Sequence, residues 1–400
     1  MASTLTRSAE KKAEAKAEVK APAFDKPVAI IDPNLPSWEP LRDRFQEIYS
    51  SRMITNSNTV REFERRAASY LNVEEAVAMS SCTLGLILTM KALGIEGEVI
   101  VPSFTFSATG HAVYWAGARP VFVDIDENTW NISVESIKDA ISPETGAILA
   151  VHIFGNPADV EALEKIARDI NVPLIFDAAH AFGASVGAKR VGGFGTAEVF
   201  SLSPTKLLTG GEGGLVATND ASLAQRLRLL RNYGDSGNYD CFMPGLNARM
   251  NELSAAIAVE GLSLVDSEIA ARESLAEIYR SKLGRIPGIH FQHVAKGNQH
   301  SFKDFTIAVE PGEFGLSRDE LYELLLKENI NTKKYFYPPL HWQTAYRDLP
   351  KRSTSLEKTE WLSTHVLTIP LYSRLKREGI NRIADVITEI HENATGKERS

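Results

Sequence analysis

Residues 173–206 read PLIFDAAHAFGASVGAKRVGGFGTAEVFSLSPTK. Two short apolar runs stand in this stretch, LIF at 174–176 and the AEVF of 197–200. Asp177 closes the first, and Ser201 and then Lys206 follow the second. A short, nearly continuous apolar run suits a strand buried on both faces of a parallel sheet. Similar runs lie upstream: AVAMSS at 76–81, EVIVPSF at 98–104, PVFVDI at 120–125 and GAILAVHIF at 146–154. Helix-like segments separate them, such as 83–94 and 157–171, so the spacing fits βαβ units. The expected fold class is α/β: a large domain with a mostly parallel sheet flanked by helices. In such sheets ligands bind beyond the carboxyl ends of the strands. Chemistry is therefore sought just after each apolar run.

Beyond Gly213 the pattern changes. Residues 250–284 read as one long helix, able to bridge two domains. From about residue 288, short strand-like runs (HFQHV, KDFTIAVE) mix with helical ones (SRDELYELLLKEN, NRIADVITEIHE), which predicts a smaller C-terminal α+β domain. The expected division is a disordered tail over 1–27, a large ligand-binding domain over 28–265 and a small domain over 266–400. The 400 residues are ordinary in composition, 44% hydrophobic and 24% charged. A net charge of -7 argues against a nucleic-acid partner, since no phosphate-neutralising surplus exists. No run of about 18 apolar residues appears, so no membrane span is expected. The Ala-, Lys- and Glu-rich start lacks the apolar core of a signal peptide. Cys82 and Cys241 are too few for a disulfide framework. A cytoplasmic location is expected.

The strand ends supply the candidates. In AMSSCTLGL (78–86), Ser80, Ser81 and Thr83 lie between strand and helix, where free N–H groups and a positive dipole end suit a phosphate. Capping of that helix by Ser81 or Thr83 is the plainer reading. In VPSFTFSATGHAV, Phe106 can lie flat on a planar ring, or be plain core. Asp177 needs a cation or strong donors, because an unpaired buried charge is costly. A protonated ring nitrogen would serve, and so would a salt bridge or a cap. His180 can hydrogen-bond a ligand or be structural. Lys206, after a buried run, can lose its proton by desolvation and attack a carbonyl. The glycines of TGGEGG (209–214) allow close backbone approach there. Together, a phosphate cradle, an aromatic plate, an acid for a pyridinium nitrogen and a lysine for an aldehyde describe pyridoxal 5'-phosphate. No metal enters this reading.

At these residues the chain resembles the DegT/DnrJ/EryC1/StrS sugar aminotransferases, pyridoxal-phosphate enzymes of fold type I, which implies seven strands in the mostly parallel sheet of the large domain. The likeness runs from about Pro36 to the final helix. It is carried, in order, by VREFERRAASYLNVEEAVAMSSCTLGL, VPSFTFSATGHAV, VHIFGNPADVEAL, FDAAHAFGA, SLSPTKLLTGGEGGL, RNYG, PGLNARMNELSAAI and YFYPPLHWQTAYR. The resemblance implies that Lys206 holds the cofactor as a Schiff base and shuttles protons. It implies that Asp177 keeps the pyridine nitrogen protonated, Phe106 stacks on the ring and His180 contacts the 3-hydroxyl. Ser81, the amide of Cys82, Thr83 and Ser201 would bind the phosphate. Asn247 would reach the phosphate of a neighbouring subunit, which implies a homodimer with shared active sites. Arg249, Lys333 and His341 would line the substrate cleft. Three positions depart from the family pattern: Cys82 for a usual glycine, Ser203 for a histidine, and Lys333 for an arginine. One branch of the family replaces the lysine with histidine and performs dehydration; Lys206 argues against that branch.

The expected reaction is transamination in two halves, from an amino acid, expected to be L-glutamate, to a nucleotide-linked keto-deoxysugar. It would serve amino-sugar and cell-surface polysaccharide synthesis. A cyclitol or another cyclic ketone is the alternative acceptor. A remote alternative is a serine hydrolase, because GASVG at 183–187 matches Gly-x-Ser-x-Gly with Ser185 as nucleophile. That elbow needs a helix after it, and the following AKRVGGFGTAEVF is too glycine-rich for one.

Overall fold

A computed structural model of the chain describes residues 21–349 and 355–396. Its centre is a sheet of seven strands: β1 (Glu75–Met79), β2 (Glu98–Pro102), β3 (Arg119–Val123), β4 (Thr145–Val151), β5 (Leu174–Asp177), β8 (Ala197–Ser201) and β9 (Gly214–Thr218). A small hairpin, β6 (Ser185–Val186) and β7 (Lys189–Arg190), stands between β5 and β8 in the chain. The spatial order is β1-β9-β8-β5-β4-β2-β3. Only β9 runs against its neighbours β1 and β8; the remaining pairings are parallel. The six apolar runs of the sequence are six of these strands. The seventh, β9, follows the glycine-rich run directly.

The runs look continuous because both faces of the sheet are covered. Alternate residues go to opposite sides: Ala76, Ala78, Ile148, Leu174 and Phe176 to one core, Val77, Met79, Leu149 and Ile175 to the other. Helices Asn58–Leu71, Val160–Asp169 and Glu252–Leu262 cover the first face, and Cys82–Ala92, Ser107–Trp115 and Ala221–Leu230 the second. Each fully buried Leu, Ile or Phe contributes roughly 1.5–3 kcal/mol, so this double layer makes a rigid platform.

The helix expected over 250–284 is two helices, Glu252–Leu262 and Val265–Leu283. Gly261 weakens the last turn of the first, and the Ser263 hydroxyl donates back to the carbonyl of Glu260 at 2.8 Å. The break separates roles: Leu262 and Val265 belong to the larger core, whereas Leu275, Tyr279 and Leu283 pack in a second one. That second core lies against an antiparallel sheet of β10 (Ile289–Phe291), β11 (Phe305–Val309) and β12 (Val366–Ile369). Ala23, Phe24 and Val28 also pack there, and Asn329 donates to the carbonyl of Phe24 at 2.7 Å. Residues 21–27, read as part of a disordered tail, are thus seated on the smaller body, and so is Val28. Residues 1–20 of that tail lie outside the described residues.

A third cluster, including Phe104, Trp130, Phe154, Ala308 and Phe336, seals the seam between the two bodies. Asp124, just after β3, accepts from the amides of Lys358 and Thr359 at 3.0 and 2.7 Å and so caps helix Glu357–His365 across it. Among the described residues, no helix is long and apolar enough to cross a membrane.

Candidate active site

The carboxyl ends of β1, β5 and β8 open onto one cavity of about 190 Å³. Ser81, Cys82, Thr83, Phe106, Asp177, His180, Ser201 and Lys206 all line it. These are all the cofactor-site candidates read from the sequence between residues 81 and 206; Ser185, the hydrolase candidate, is not among them.

Ser81 caps helix Cys82–Ala92, its hydroxyl accepting from the Leu84 amide at 3.2 Å, and its carbonyl accepts from Gly85 at 3.0 Å. The first two amides, of Cys82 and Thr83, have no partner within the helix. They sit at the positive end of the helix dipole, so they fit an anion. β9 presses on this turn: a Cβ at Gly214 would lie 2.5 Å from the Cys82 nitrogen. Only glycine permits that approach, which explains the glycine-rich run at this point. Ser201 ends β8, with its hydroxyl 3.4 Å from that of Ser203.

Asp177 is 5% exposed and makes no ion pair among the described residues. One carboxylate oxygen accepts from the Thr109 hydroxyl at 2.7 Å, the other from the Ala179 amide at 3.1 Å. Burial pushes its pKa up, and these donors together with the charges of Lys206 and His152 pull against it. A buried carboxylate with neutral donors alone is under-compensated, and a protonated ring nitrogen would complete it. The salt-bridge alternative is thereby replaced by a hydroxyl and an amide.

His180 accepts from the Phe154 amide at its Nδ1, 3.2 Å away. Burial, with the charges of Lys206, Lys303 and His300, holds its pKa well below the usual histidine range, so the ring is neutral. Its Nε2 therefore carries the proton and can donate to a phenolic oxygen. Phe106 is 58% exposed on the cavity wall, which removes the plain-core reading.

Lys206 lies in the loop from β8 to β9. That loop is closed at its base by Leu202 donating to the Gly213 carbonyl at 2.9 Å and by Gly210 donating to the Leu202 carbonyl at 2.9 Å. The Lys206 side chain keeps some surface on the cavity wall, yet protein surrounds its ammonium closely. Burial, then the charge of Lys303, lowers its pKa to about 8. No hydrogen bond or ion pair to its Nζ is found among the described residues. The neutral, nucleophilic form is therefore far more populated near physiological pH than in an ordinary lysine. An anion cradle, a flat ring face, a carboxylate short of a cation and an amine that loses its proton readily together fit pyridoxal phosphate.

The comparisons with known proteins point the same way. The profile of the DegT/DnrJ/EryC1/StrS aminotransferase family matches residues 39–388. The chain belongs to that family. Its cofactor is therefore pyridoxal 5'-phosphate, and its reaction an amino transfer. The chain is 33% identical to the dTDP-4-amino-4,6-dideoxy-D-glucose transaminase of Escherichia coli, over 91% of this chain and 98% of the relative. It is 34% identical to the GDP-perosamine synthase of Caulobacter vibrioides, over 82% and 89% of the two chains. Its fold superposes with a TM-score of 0.88 on DesI, solved in the presence of its TDP-sugar product, at 35% identity over 94% of this chain and 95% of that one.

The later candidates stand apart from the cavity wall. Asn247 is exposed, and its backbone bridges to Asn232. Arg249 donates to Asn232 Oδ1 at 2.7 Å and lies over the Tyr233 ring. Lys333 is exposed and bridges by its backbone to Thr368. His341 has Nδ1 2.7 Å from Ser103 Oγ and Nε2 3.2 Å from Glu360 Oε1, so both ring nitrogens are engaged. Ser185 is in the small hairpin, its hydroxyl donating to the Gly187 carbonyl at 3.1 Å, and no helix follows it. The hydrolase alternative falls with that geometry. Thr109 and Glu212 escaped the sequence reading. Thr109 is one helical turn from Thr105, whose hydroxyl it meets at 3.0 Å, in an otherwise apolar stretch; that spacing is the signal that could have exposed it.

Proposed function

We propose that the chain moves the amino group of L-glutamate to the ketone of a nucleotide-linked keto-deoxysugar, yielding 2-oxoglutarate and an amino-sugar nucleotide. The observation that carries this is the meeting, in one cavity, of a Lys206 amine whose pKa is lowered to about 8 and a buried Asp177 carboxylate with only neutral donors. The relatives' own substrates, dTDP- and GDP-linked sugars, support the acceptor class.

Bound pyridoxal phosphate supplies an aldehyde and a ring that accepts electrons from the substrate carbon. Around it, the Cys82 and Thr83 amides and the Ser81 and Ser201 hydroxyls would hold the phosphate, and Phe106 would cover the ring. The Asp177 carboxylate, to which Thr109 donates, would keep the pyridine nitrogen protonated, and His180 Nε2 would donate to the ring oxygen. The Lys206 amine would hold the cofactor through its aldehyde and, once free, would move the substrate's α-proton. Each half-reaction exchanges an amine for a ketone, so nothing beyond the two substrates is consumed. Arg249, Lys333 and His341 are assigned to the acceptor side.

The same reading makes the working unit a cytoplasmic homodimer, with Asn247 reaching the phosphate of the other subunit. Exposed apolar residues flank Asn247: Tyr239 at 96%, Phe242 at 66% and Leu246 at 42% exposure. Such a patch suits an interface between copies.

The test is spectroscopic. Protein incubated with pyridoxal phosphate should show a visible band, and L-glutamate should bleach it. A nucleotide keto-sugar should then restore it. Folded protein that never develops the band overturns the reading; a band indifferent to glutamate overturns the donor.

A further inference from the structure

The smaller body lends no residue to the wall of the active-site cavity, yet it holds one that stands there. Ser301, fully buried, lies just before β11. Its hydroxyl donates to the carbonyl of His180 at 2.6 Å. Among the described residues, no other donor to that carbonyl is found. Ser301 is itself fixed. Its amide donates to the Gly155 carbonyl at 3.1 Å. Gly155 has φ 99°, and a Cβ there would collide with Ser301 Oγ and lie 2.8 Å from the His180 carbonyl oxygen, so only glycine lets the three segments meet. Behind Ser301, the buried Arg272 donates to the carbonyls of Phe302 and Lys303 at 3.2 and 3.4 Å. The Phe302 amide donates to His300 Nδ1 at 2.7 Å.

The same neighbourhood places the ring of His180. Phe154, next to Gly155, holds φ 58°, a conformation that a phenylalanine seldom adopts. That turn brings its amide to His180 Nδ1, 3.2 Å away. Residues in such conformations persist where their surroundings over-determine them, and they gather at functional sites. The Phe336 ring lies within 11° of parallel to that of His180, with 6.3 Å between centroids, and the Phe154 ring within 7° at 6.4 Å. An imidazole on an unsupported turn would pivot with its backbone; here both the carbonyl and the ring are held. We propose that Ser301 is a positioning residue for His180: by holding the His180 carbonyl, it keeps the Nε2 proton aimed at the ring oxygen of the cofactor. The smaller body thus takes part in cofactor binding without lining the cavity. The inference rests on the assignment of His180 to that oxygen, and its test separates the two.

Pyridoxal phosphate is titrated into cofactor-free full-length protein, and the dissociation constant is read from the visible band. Ser301→Ala should weaken binding by about fivefold, the worth of one neutral hydrogen bond. His180→Gln should weaken it by about tenfold or more, because a donor to a charged oxygen is lost. The double variant decides. If Ser301 acts through His180, Ser301→Ala should change affinity by less than about twofold once residue 180 is glutamine. Equal effects of Ser301→Ala in both backgrounds overturn the proposal, because the hydroxyl then acts through folding or another group. No effect of Ser301→Ala in either background overturns it as well. If His180→Gln binds without loss, the assignment of His180 falls, and the inference with it. A second readout needs no cofactor. Histidine labelled with heavy nitrogen reports each ring's tautomer by NMR, and the His180 signal is the one missing in His180→Gln. The unsubstituted protein should show one tautomer, with its proton on Nε2, and Ser301→Ala a mixture of the two. A His180 signal unchanged by Ser301→Ala overturns the proposal.

Discussion

Lys206 and Lys303 belong to different bodies of the molecule, and each is felt electrostatically by the other. Lys206 follows a central strand of the large sheet and has no ionic partner. Lys303 precedes a strand of the small sheet and is held by both oxygens of Asp304. The same side chain has been given two uses by its neighbour. Desolvation without a partner leaves an amine that prefers to be neutral. Desolvation with a bidentate partner leaves a cation that stays in place. Asp177 is the acidic counterpart of Lys206: buried, met by the neutral donors of Thr109, Ala179 and, at 4.0 Å, the Cys82 thiol, and open to a cationic ligand.

The sharpest way to break this comparison is to replace Lys206. Lys206→Ala should abolish the visible band and lower transamination by at least about 10⁴-fold, because both the covalent anchor and the proton carrier are lost. Lys206→Arg keeps a cation at the same place and should be equally inactive. Recovery of activity by arginine would mean that charge, and not the neutral amine, matters. Next in size is Asp177→Asn, which keeps shape and removes the partner for a ring proton. Turnover should fall by about 10²–10⁴-fold with cofactor still bound. Thr109→Val, which removes the hydroxyl donor to Asp177, should cost about tenfold or less. If Thr109→Val equals Asp177→Asn, the carboxylate is not the working group.

A pH series tests the state of Lys206 directly. Its folded pKa lies below the ordinary lysine value, at about 8, so the amine is protonated below that pH and neutral above it. Cofactor capture by the cofactor-free protein should therefore quicken as pH rises from 7 to 9, by about tenfold, and then level. A rate that keeps climbing toward pH 10.5 would place Lys206 with ordinary exposed lysines.

Much of the larger body was legible because its signals are local. A strand covered on both faces must be apolar at every position, so LIF and AEVF announce themselves, and the topology then delivers Asp177 and Ser201 to one edge. The turn after β1 was legible for the same reason: Ser81, Cys82 and Thr83 are consecutive, and Ser81 caps the helix that follows. What stayed hidden depends on contacts far apart in sequence. Nothing around Ser263 marks a helix break except Gly261 and one hydroxyl. β12 is four residues of VLTI whose partner, β11, lies some sixty residues earlier. Lys303 and Asp304 read as the charged start of the strand-like run KDFTIAVE, and nothing local marks them as buried. Residues 21–27 look like a tail, and Val28 like the start of the larger domain, because their partners, Glu328 to Ile330, lie about 300 residues away.

Asn247 sharpens the comparison at its remaining edge, since both lysines belong to one subunit and this residue is assigned to the site of another. Its exposure and the apolar residues beside it favour that assignment, and single substitutions test it poorly, because loss of the interface and loss of a phosphate contact look alike. Mixing separates them. Lys206→Ala and Asn247→Ala proteins, each weakly active alone, are combined in equal amounts and allowed to exchange subunits. If every site draws Lys206 from one subunit and Asn247 from the other, half of the dimers are mixed, and each mixed dimer has one intact site and one doubly defective site. About a quarter of all sites, and of unsubstituted activity, should return. If Asn247 serves its own subunit, each site in a mixed dimer carries one defect, and activity stays at the average of the two parents. The difference is read from a single turnover assay, and exchange is followed independently by native mass spectrometry.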